Sequence, residues 1–202
     1  MSSALSTQDL KQIHNGIRDK YAKVAVSPEG QFKYPTGRAG LEQLKYDAAI
    51  VSELPESVAG SFCGVGNPFS LGEIPPGSRL LDIGCGAGVD ALVASKVVGP
   101  SGKVMGIDIT PEMIRRAEVN KKEIGAKNVI FQLNRVQDLT GIEASFDVVI
   151  SNGALNLIPE KEEVLAAVFR LLKPDGWLLV ADQFLVGPAS NDLKARIQSW
   201  FQ

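Results

Sequence analysis

The stretch Leu80-Leu81-Asp82-Ile83-Gly84-Cys85-Gly86-Ala87-Gly88 decides the architecture. An apolar run enters an acid, then glycine at every second position, and a helix-like segment over 89–98 follows. Glycine lets the backbone turn sharply and approach a ligand closely. A helix N-terminus behind such a loop offers free N–H groups and partial positive charge. The stretch therefore reads as a strand, a ligand-binding loop and the start of a helix.

Outward from it, strand and helix signals alternate. Strands are predicted over 79–83, 103–107, 128–133, 146–150 and 177–181. They are short and rich in Val, Ile and Leu, as strands buried on both faces should be. Thr110-Pro111-Glu112 opens a helix with a cap, a proline and a first-turn acid. That helix buries Met113, Ala117 and Ile124 and ends at Gly125. Another is predicted over 161–172, after which Lys173-Pro174-Asp175-Gly176 turns the chain into the last strand. The alternation implies an α/β fold, doubly wound and Rossmann-like. Its sheet is mainly parallel, and its ligand crevice lies at the carboxyl ends of the strands.

Ahead of this region, helices are predicted over 6–26 and 38–52, separated by turns at 27–30 and 34–37. Residues 1–76 hold too few apolar positions for a core of their own. They are expected to form a helical cover, or lid, over the crevice of a ligand-binding domain at 77–202. A chain of 202 residues favours one such domain. A net charge of -2 leaves no footprint for nucleic acid or an anionic membrane. No apolar run reaches the ~20 residues of a membrane span, and the N-terminal residues, with no basic segment or apolar core, are not expected to act as a signal peptide. Two cysteines at unlike sites suggest no disulfide framework and a cytoplasmic location. No residue group is expected to hold a metal.

The second strand ends in Gly106-Ile107-Asp108, 24 residues after Gly84. An acid there accepts hydrogen bonds from both hydroxyls of a ribose. The dinucleotide fingerprint asks for Gly or Ala at position 89 and finds Val89. The loop thus fits S-adenosylmethionine (SAM) better than NAD. The ends of the third and fourth strands, Asn134 to Asp138 and Ser151-Asn152-Gly153, reach the same crevice. His14, the one histidine, reads as a solvated helix side chain.

Asp82 to Gly88, Gly106-Ile107-Asp108 and Leu171-Leu172-Lys173-Pro174-Asp175-Gly176 resemble the motifs of class I SAM-dependent methyltransferases. Gly64-Val65-Gly66-Asn67-Pro68, Asp108 to Met113, and Ile150 to Leu157 resemble the arsenite methyltransferase family more closely. The resemblance covers roughly 54–186, with a weaker echo at Ile17 to Tyr21. It implies that Gly84, Gly86 and Gly88 pass under the methionine part of SAM, which Asp82 orients. Asp108 would hold the ribose, Ile109 would pack on adenine, and Val136 would meet the adenine edge through its backbone. Cys85 and Met113, within these motifs, are counted with the cofactor-binding residues. The family often has an acid at 135, where this chain has Arg135; Gln137 or Asp138 would substitute. Ser151 and Asn152 would line the methyl-transfer crevice.

Arsenite methyltransferases bind As(III) through thiolates, which suit a soft acceptor. Two family cysteines match Val65 and Gly153, and neither is cysteine here. Cys63, two positions from the first, is the thiol placed to reach the site. Ser151, Asn152 and Cys63 are accordingly the candidate catalytic residues, with Tyr21 and Tyr46 as further candidates for cofactor or substrate contact. The expectation is a SAM-dependent methyltransferase acting on a small molecule, arsenite or another soft nucleophile. A SAM-binding protein without catalysis and a Rossmann oxidoreductase are the alternatives, and Val89 argues against the second.

The class resembled typically has seven strands, the last two forming a hairpin. Five are visible here, and 191–202 reads as the helix that precedes it, with Leu193 and Ile197 on one face. The C-terminal hairpin is expected to be missing, which leaves the strand at 177–181 on an open edge that invites a homodimer. The family's Trp-x-x-Cys pattern would place a cysteine just after Gln202. Either the chain ends here plainly, or a UGA selenocysteine codon follows.

Overall fold

The fifth strand was expected to begin after Lys173-Pro174-Asp175-Gly176 but begins before it. In the computed structural model, which describes residues 5–184, 186, 187, 192, 197 and 200, β5 spans Leu172–Ala181. The other strands are β1 Arg79–Ile83, β2 Lys103–Asp108, β3 Val129–Leu133 and β4 Phe146–Asn152. Phe146 pairs with Leu172 and Val148 with Trp177, so the turn-forming residues sit in a bulge. Asp175, at φ 63°, carries its backbone strain.

All four pairings are parallel, in the order β3-β2-β1-β4-β5. The chain leaves β1 toward β3 on one side and toward β5 on the other. The carboxyl ends of β1 and β4 therefore diverge at a topological switch point, where ligands bind in open α/β sheets. Among the described residues no strand pairs with the outer edge of β5, and Trp177 there is 64% exposed.

Seven helices flank the strands among the described residues. α1 (Thr7–Val24) begins with a reciprocal cap: Asp9 N–H donates to Ser6 Oγ, and Ser6 N–H donates to Asp9 Oδ2. The single helix expected over 38–52 is two, α2 (Gly37–Gln43) and α3 (Ala48–Ser52). Lys45 turns left-handed at φ 57°, and the Asp47 carboxylate accepts from the N–H groups of Ala49 and Ile50 to start α3. The break lets Tyr46 point into the core. α4 (Glu56–Ala59) precedes the sheet. α5 (Val89–Val97) and α6 (Pro111–Ile124) cover one face, and α7 (Lys161–Leu171) covers the other. Thr110 was expected to cap α6, but its side chain makes no cap bond. The Asp108 carboxylate takes the Thr110 N–H instead, at 2.8 Å.

Leu41, Val51, Leu54, Val58 and Phe62 from the N-terminal segment share one core cluster with Leu80, Leu92 and Ile150. Each such side chain, fully buried, contributes about 1.5–3 kcal/mol, so α2–α4 are built onto the sheet. α1 sits differently: Ile13 and Ile17 pack with Ile197 and Trp200, and Val24 packs with Ala87 and Met113 beneath the glycine loop. Most of the helix expected over 191–202 lies outside the described residues, as do residues 1–4. No described helix is long and apolar enough to cross a membrane.

Candidate functional site

The glycine loop is tied down before it reaches any ligand. The N–H groups of Gly84 and Cys85 both donate to the Ile107 carbonyl at the end of β2, at 2.9 and 3.0 Å. Gly86 N–H donates to Asp108 Oδ2 at 2.9 Å. Asn120, buried on α6, donates to the Ala87 carbonyl at 2.9 Å. The loop thus bridges β1, β2 and α6, and Asp108 is its keystone. Asp108 Oδ1 accepts from the Thr110 N–H and Oδ2 from the Gly86 N–H, and the carboxylate lines the cavity. Burial pushes this carboxyl above the usual range, while the Thr110 and Gly86 N–H groups pull it down.

Above the loop lies a cavity of about 390 Å³. Gly84, Cys85, Gly86, Asp108, Ile109, Val136, Gln137, Asn152 and Cys63 all line it, so nine of the residues singled out from sequence come together there. Asp82, Gly88, Met113 and Ser151 do not. Ser151 is fully buried, and its hydroxyl donates to the Ile83 carbonyl at 3.1 Å; it holds β4 against β1. Met113 packs beneath the loop. A Cβ at Gly88 would meet the Phe131 ring at 2.5 Å, so that glycine serves helix-to-sheet packing. Asp82 is buried under the loop with Oδ2 unpaired.

Tyr21, a candidate from the sequence, also lines the cavity from α1. His14, Ile17 and Arg18 line it beside Tyr21, and the sequence reading gave them no site role. His14 is not a solvated side chain: its Nε2 lies 3.2 Å from Glu160 Oε2, and Arg135 lies 3.8 Å from the same carboxylate. A polar helix face reads as solvent-facing unless one knows that a polar crevice lies opposite it. Tyr46 does not reach the cavity. It is buried, and its hydroxyl donates to Asp90 Oδ1 at 2.6 Å. Asp90, the second residue of α5, does line the cavity. Its sign in the sequence was an acid in the first turn of a mostly apolar helix.

Asn152 has every amide atom engaged. Its Oδ1 accepts from the N–H groups of Val65 and Gly66 at 2.9 and 3.1 Å. Its Nδ2 lies within 3.1 Å of Gly66 O, Asp90 Oδ2 and Tyr46 Oη. It clasps the 64–66 loop to the sheet. Gly64 and Gly153 are glycine for proximity: a Cβ at Gly64 would lie 2.3 Å from Asn152 Nδ2, and one at Gly153 would lie 3.3 Å from Val65 Cγ1. The Val65 side chain thus lies against Gly153, the other position that matches a family cysteine.

The cavity wall is acidic beneath the loop. Burial first, then Asp90 and Asp108, hold the Asp82 carboxyl well above the usual range. Burial, helped by Asp90 and Asp108, pushes the Cys63 thiol up to about 12. The thiolate is the reactive form, so Cys63 should be alkylated by iodoacetamide at neutral pH far more slowly than a small free thiol. A rate matching that of glutathione would contradict this.

These features fit SAM. Gly86 lines the cavity, and a Cβ there would have room, with Met113 Sδ nearest at 3.8 Å. Asp108 presents carboxylate oxygens to the cavity for a ribose, and Asp90, a second buried acid in its lining, suits a cation.

A family model described as a methyltransferase domain matches residues 74–202. The arsenite methyltransferase of Halobacterium salinarum is 34% identical over 204 residues, covering 94% of this chain and 52% of its own length. The nocamycin O-methyltransferase of Saccharothrix syringae is 41% identical over 101 residues, covering 50% of this chain and 36% of its own length. The crystal structure of an arsenic(III) S-adenosylmethionine methyltransferase from Chlamydomonas reinhardtii matches with 31% identity and a TM-score of 0.55, over 74% of this chain and 50% of that one. The chain spans about half the length of the curated arsenite methyltransferases it matches. The sheet order, the glycine loop closed by Asp108 and the family match agree: the chain belongs to the methyltransferase-domain family, in the class I SAM-dependent group that includes the arsenite methyltransferases.

Proposed function

We propose that this chain is the donor-binding, methyl-transferring part of a SAM-dependent methyltransferase for a small-molecule acceptor. The observation that carries the reading is one continuous cavity. It joins the Gly84–Gly86 loop and Asp108 to the β4 end at Asn152-Gly153, and α1 roofs it. SAM supplies an electrophilic methyl on a positive sulfur. The residues of the chain position donor and acceptor and exclude water. Asp108 holds the ribose, Ile109 and Val136 flank the adenine, and Gly86 leaves room beneath the methionine part. Asn152 fixes the 64–66 loop against the acceptor end. The reading keeps the cytoplasmic placement drawn from cysteine usage.

The acceptor end favours an organic small molecule over arsenite. The two positions that match family cysteines hold Val65 and Gly153, and burial pushes the Cys63 thiol up to about 12. The nocamycin O-methyltransferase shows that an organic acceptor occurs among the relatives. Calorimetry with SAM, S-adenosylhomocysteine (SAH) and NADH tests the cofactor. SAM and SAH should bind, and at a hundredfold excess over Kd should stabilise the fold by about 2.7 kcal/mol. Binding of NADH alone would overturn the reading in favour of an oxidoreductase. Methyl transfer from labelled SAM to a panel of As(III), thiols, phenols and enols then separates an enzyme from a SAM-binding protein without catalysis.

We read residues 1–76 as a cover built on the 77–202 domain, with α1 its moving part. Amide hydrogen exchange over 7–24 should slow when SAH binds. Unchanged exchange there, with SAH bound, would count against a lid.

A further inference from the structure

Asp90 is a buried carboxylate that no sequence motif picked out, and its hydrogen-bond partners are an unusual pair. Tyr46 Oη donates to Oδ1 at 2.6 Å, and Asn152 Nδ2 donates to Oδ2 at 2.9 Å. Both partners are neutral. The charged and titratable groups that face this end of the cavity are Asp82 from β1, Asp108 from β2, Arg18 and Tyr21 from α1, and Cys63 and Cys85 from the loops. Asp108 lines the cavity with Asp90, and Asp82 lies under the loop with an oxygen that has no partner. Lys20, which faces Cys63, is the nearby ammonium on α1.

The partners have one feature a purely structural pair would lack. Tyr46 Oη lies 2.6 Å from Asp90 Oδ1, 3.0 Å from Gly66 O and 3.1 Å from Asn152 Nδ2. A tyrosine has one proton to give. When Asp90 is ionised, that proton goes to Asp90, and Asn152 serves Asp90 and Gly66 O. When Asp90 is protonated, its own O–H donates to Tyr46 Oη, and the tyrosine proton turns to Gly66 O. Every group is satisfied in both states. The network can therefore hold or release one proton without moving a heavy atom.

We propose that Asp90 is a proton-exchanging carboxylate through which the pocket distinguishes the cationic methyl donor from its neutral demethylated product. Binding of the donor expels the proton that Asp90 shares with Tyr46, and a neutral product lets it return. The inference rests on the SAM reading given above. Its physical basis is that a cation within about 4–6 Å lowers a carboxylate pKa by about one to three pH units. SAM and SAH share the α-ammonium, the carboxylate, the ribose and the adenine. They differ in the sulfonium charge and its methyl. Burial, partly offset by the Tyr46 and Asn152 hydrogen bonds, pushes the Asp90 carboxyl up to about 6, which puts the exchange near neutral pH.

The sign follows from linkage. Where Asp90 is protonated in the free protein, each donor bound must displace a proton. SAM affinity should then fall about tenfold per pH unit below about 6 and level off above it. SAH affinity should vary much less. The experiment is calorimetry of SAM and of SAH at a series of pH values, in buffers of different ionisation heat. Proton release with SAM that exceeds release with SAH is the expected result. Asp90→Asn mimics the protonated network, since its amide can donate to Tyr46 Oη while its carbonyl accepts from Asn152. It should flatten the SAM profile, and the SAM-to-SAH preference should drop about tenfold at pH ~7.5. Tyr46→Phe removes the donor to the ionised form and should move the midpoint upward, which serves if Asp90→Asn does not fold. Equal proton release with SAM and SAH, or a wild-type pH profile in either folded variant, would overturn the proposal. Failure of both ligands to bind would instead overturn the cofactor reading.

Discussion

Asp108→Ala should weaken SAM binding by about thirty- to a thousandfold while the protein stays folded. The Asp108 oxygens accept the Gly86 and Thr110 N–H groups and line the cavity. Hydrogen bonds to a charged group are worth about 1.5–3 kcal/mol each. Losing the two that a ribose would make, with partial replacement by water, gives about 2–4 kcal/mol, which is the affinity range stated. Gly86→Val is the companion test by exclusion. Gly86 is at φ 52°, and a Cβ there meets no protein atom closer than 3.8 Å. Gly86 lines the cavity, so a branched side chain there is expected to crowd the cofactor, at a backbone cost of about 1–2 kcal/mol. Calorimetry reads both variants, with circular dichroism as the check on folding. Full SAM affinity in either folded protein would remove Asp108 and the glycine loop from the cofactor site.

The residues that made the fold legible are those whose job is local. The run Leu80 to Ile83 and its alternation with helices predicted a parallel sheet, because strands buried on both faces have no polar positions to spare. Gly125 ended α6 as expected because only a left-handed residue closes that cap cheaply. The errors fell where a distant partner decides. The helix predicted over 38–52 breaks at Lys45 because Tyr46 must reach Asp90, which lies 44 positions on. Periodicity within a segment carries no trace of such a partner. Lys173 to Gly176 is rich in turn formers, and it does turn, but inside β5, because Leu172 already pairs with Phe146.

The site divided in the same way. Gly84, Gly86 and Asp108 announce themselves because a ligand and a backbone geometry both constrain them. Ser151 and Asn152 occupy adjacent positions on β4, and side chains alternate along a strand. Ser151 turns to Ile83 and Asn152 to the 64–66 loop. The sequence offers no means of telling which of the two faces the crevice until the register with β1 is known. His14 and Glu160 are 146 positions apart and belong to a helix roof and a loop. Neither has meaning for the site until α1 is laid across it.

Gly88 provides the other large effect, in stability and not in binding. Gly88 looks like part of the cofactor cradle in the sequence, yet it does not line the cavity. Its φ is 82°, and a Cβ would lie 2.5 Å from Phe131 Cζ and 3.0 Å from Ala117 Cβ. The ring has nowhere to retreat. A Cβ on Gly106, on β2 beside it, would lie 2.7 Å from two of its atoms, so the ring fills the slot that these two glycines leave. Gly88→Ala thus combines a left-handed backbone, costing about 1–2 kcal/mol, with overpacking that costs about 1–3 kcal/mol. A domain of this size loses about 2–4 °C in Tm per kcal/mol, so the melting temperature should fall by roughly 5–15 °C. SAM affinity of the folded fraction should change little by comparison. Thermal and urea denaturation read the effect, and a double-mutant cycle separates its parts. In a Phe131→Leu background the smaller side chain relieves the clash but leaves the backbone strain, so Gly88→Ala should cost at least about 0.5 kcal/mol less there. A wild-type melting temperature in Gly88→Ala would show that the ring is free to move and that helix-to-sheet packing is not what holds this position to glycine.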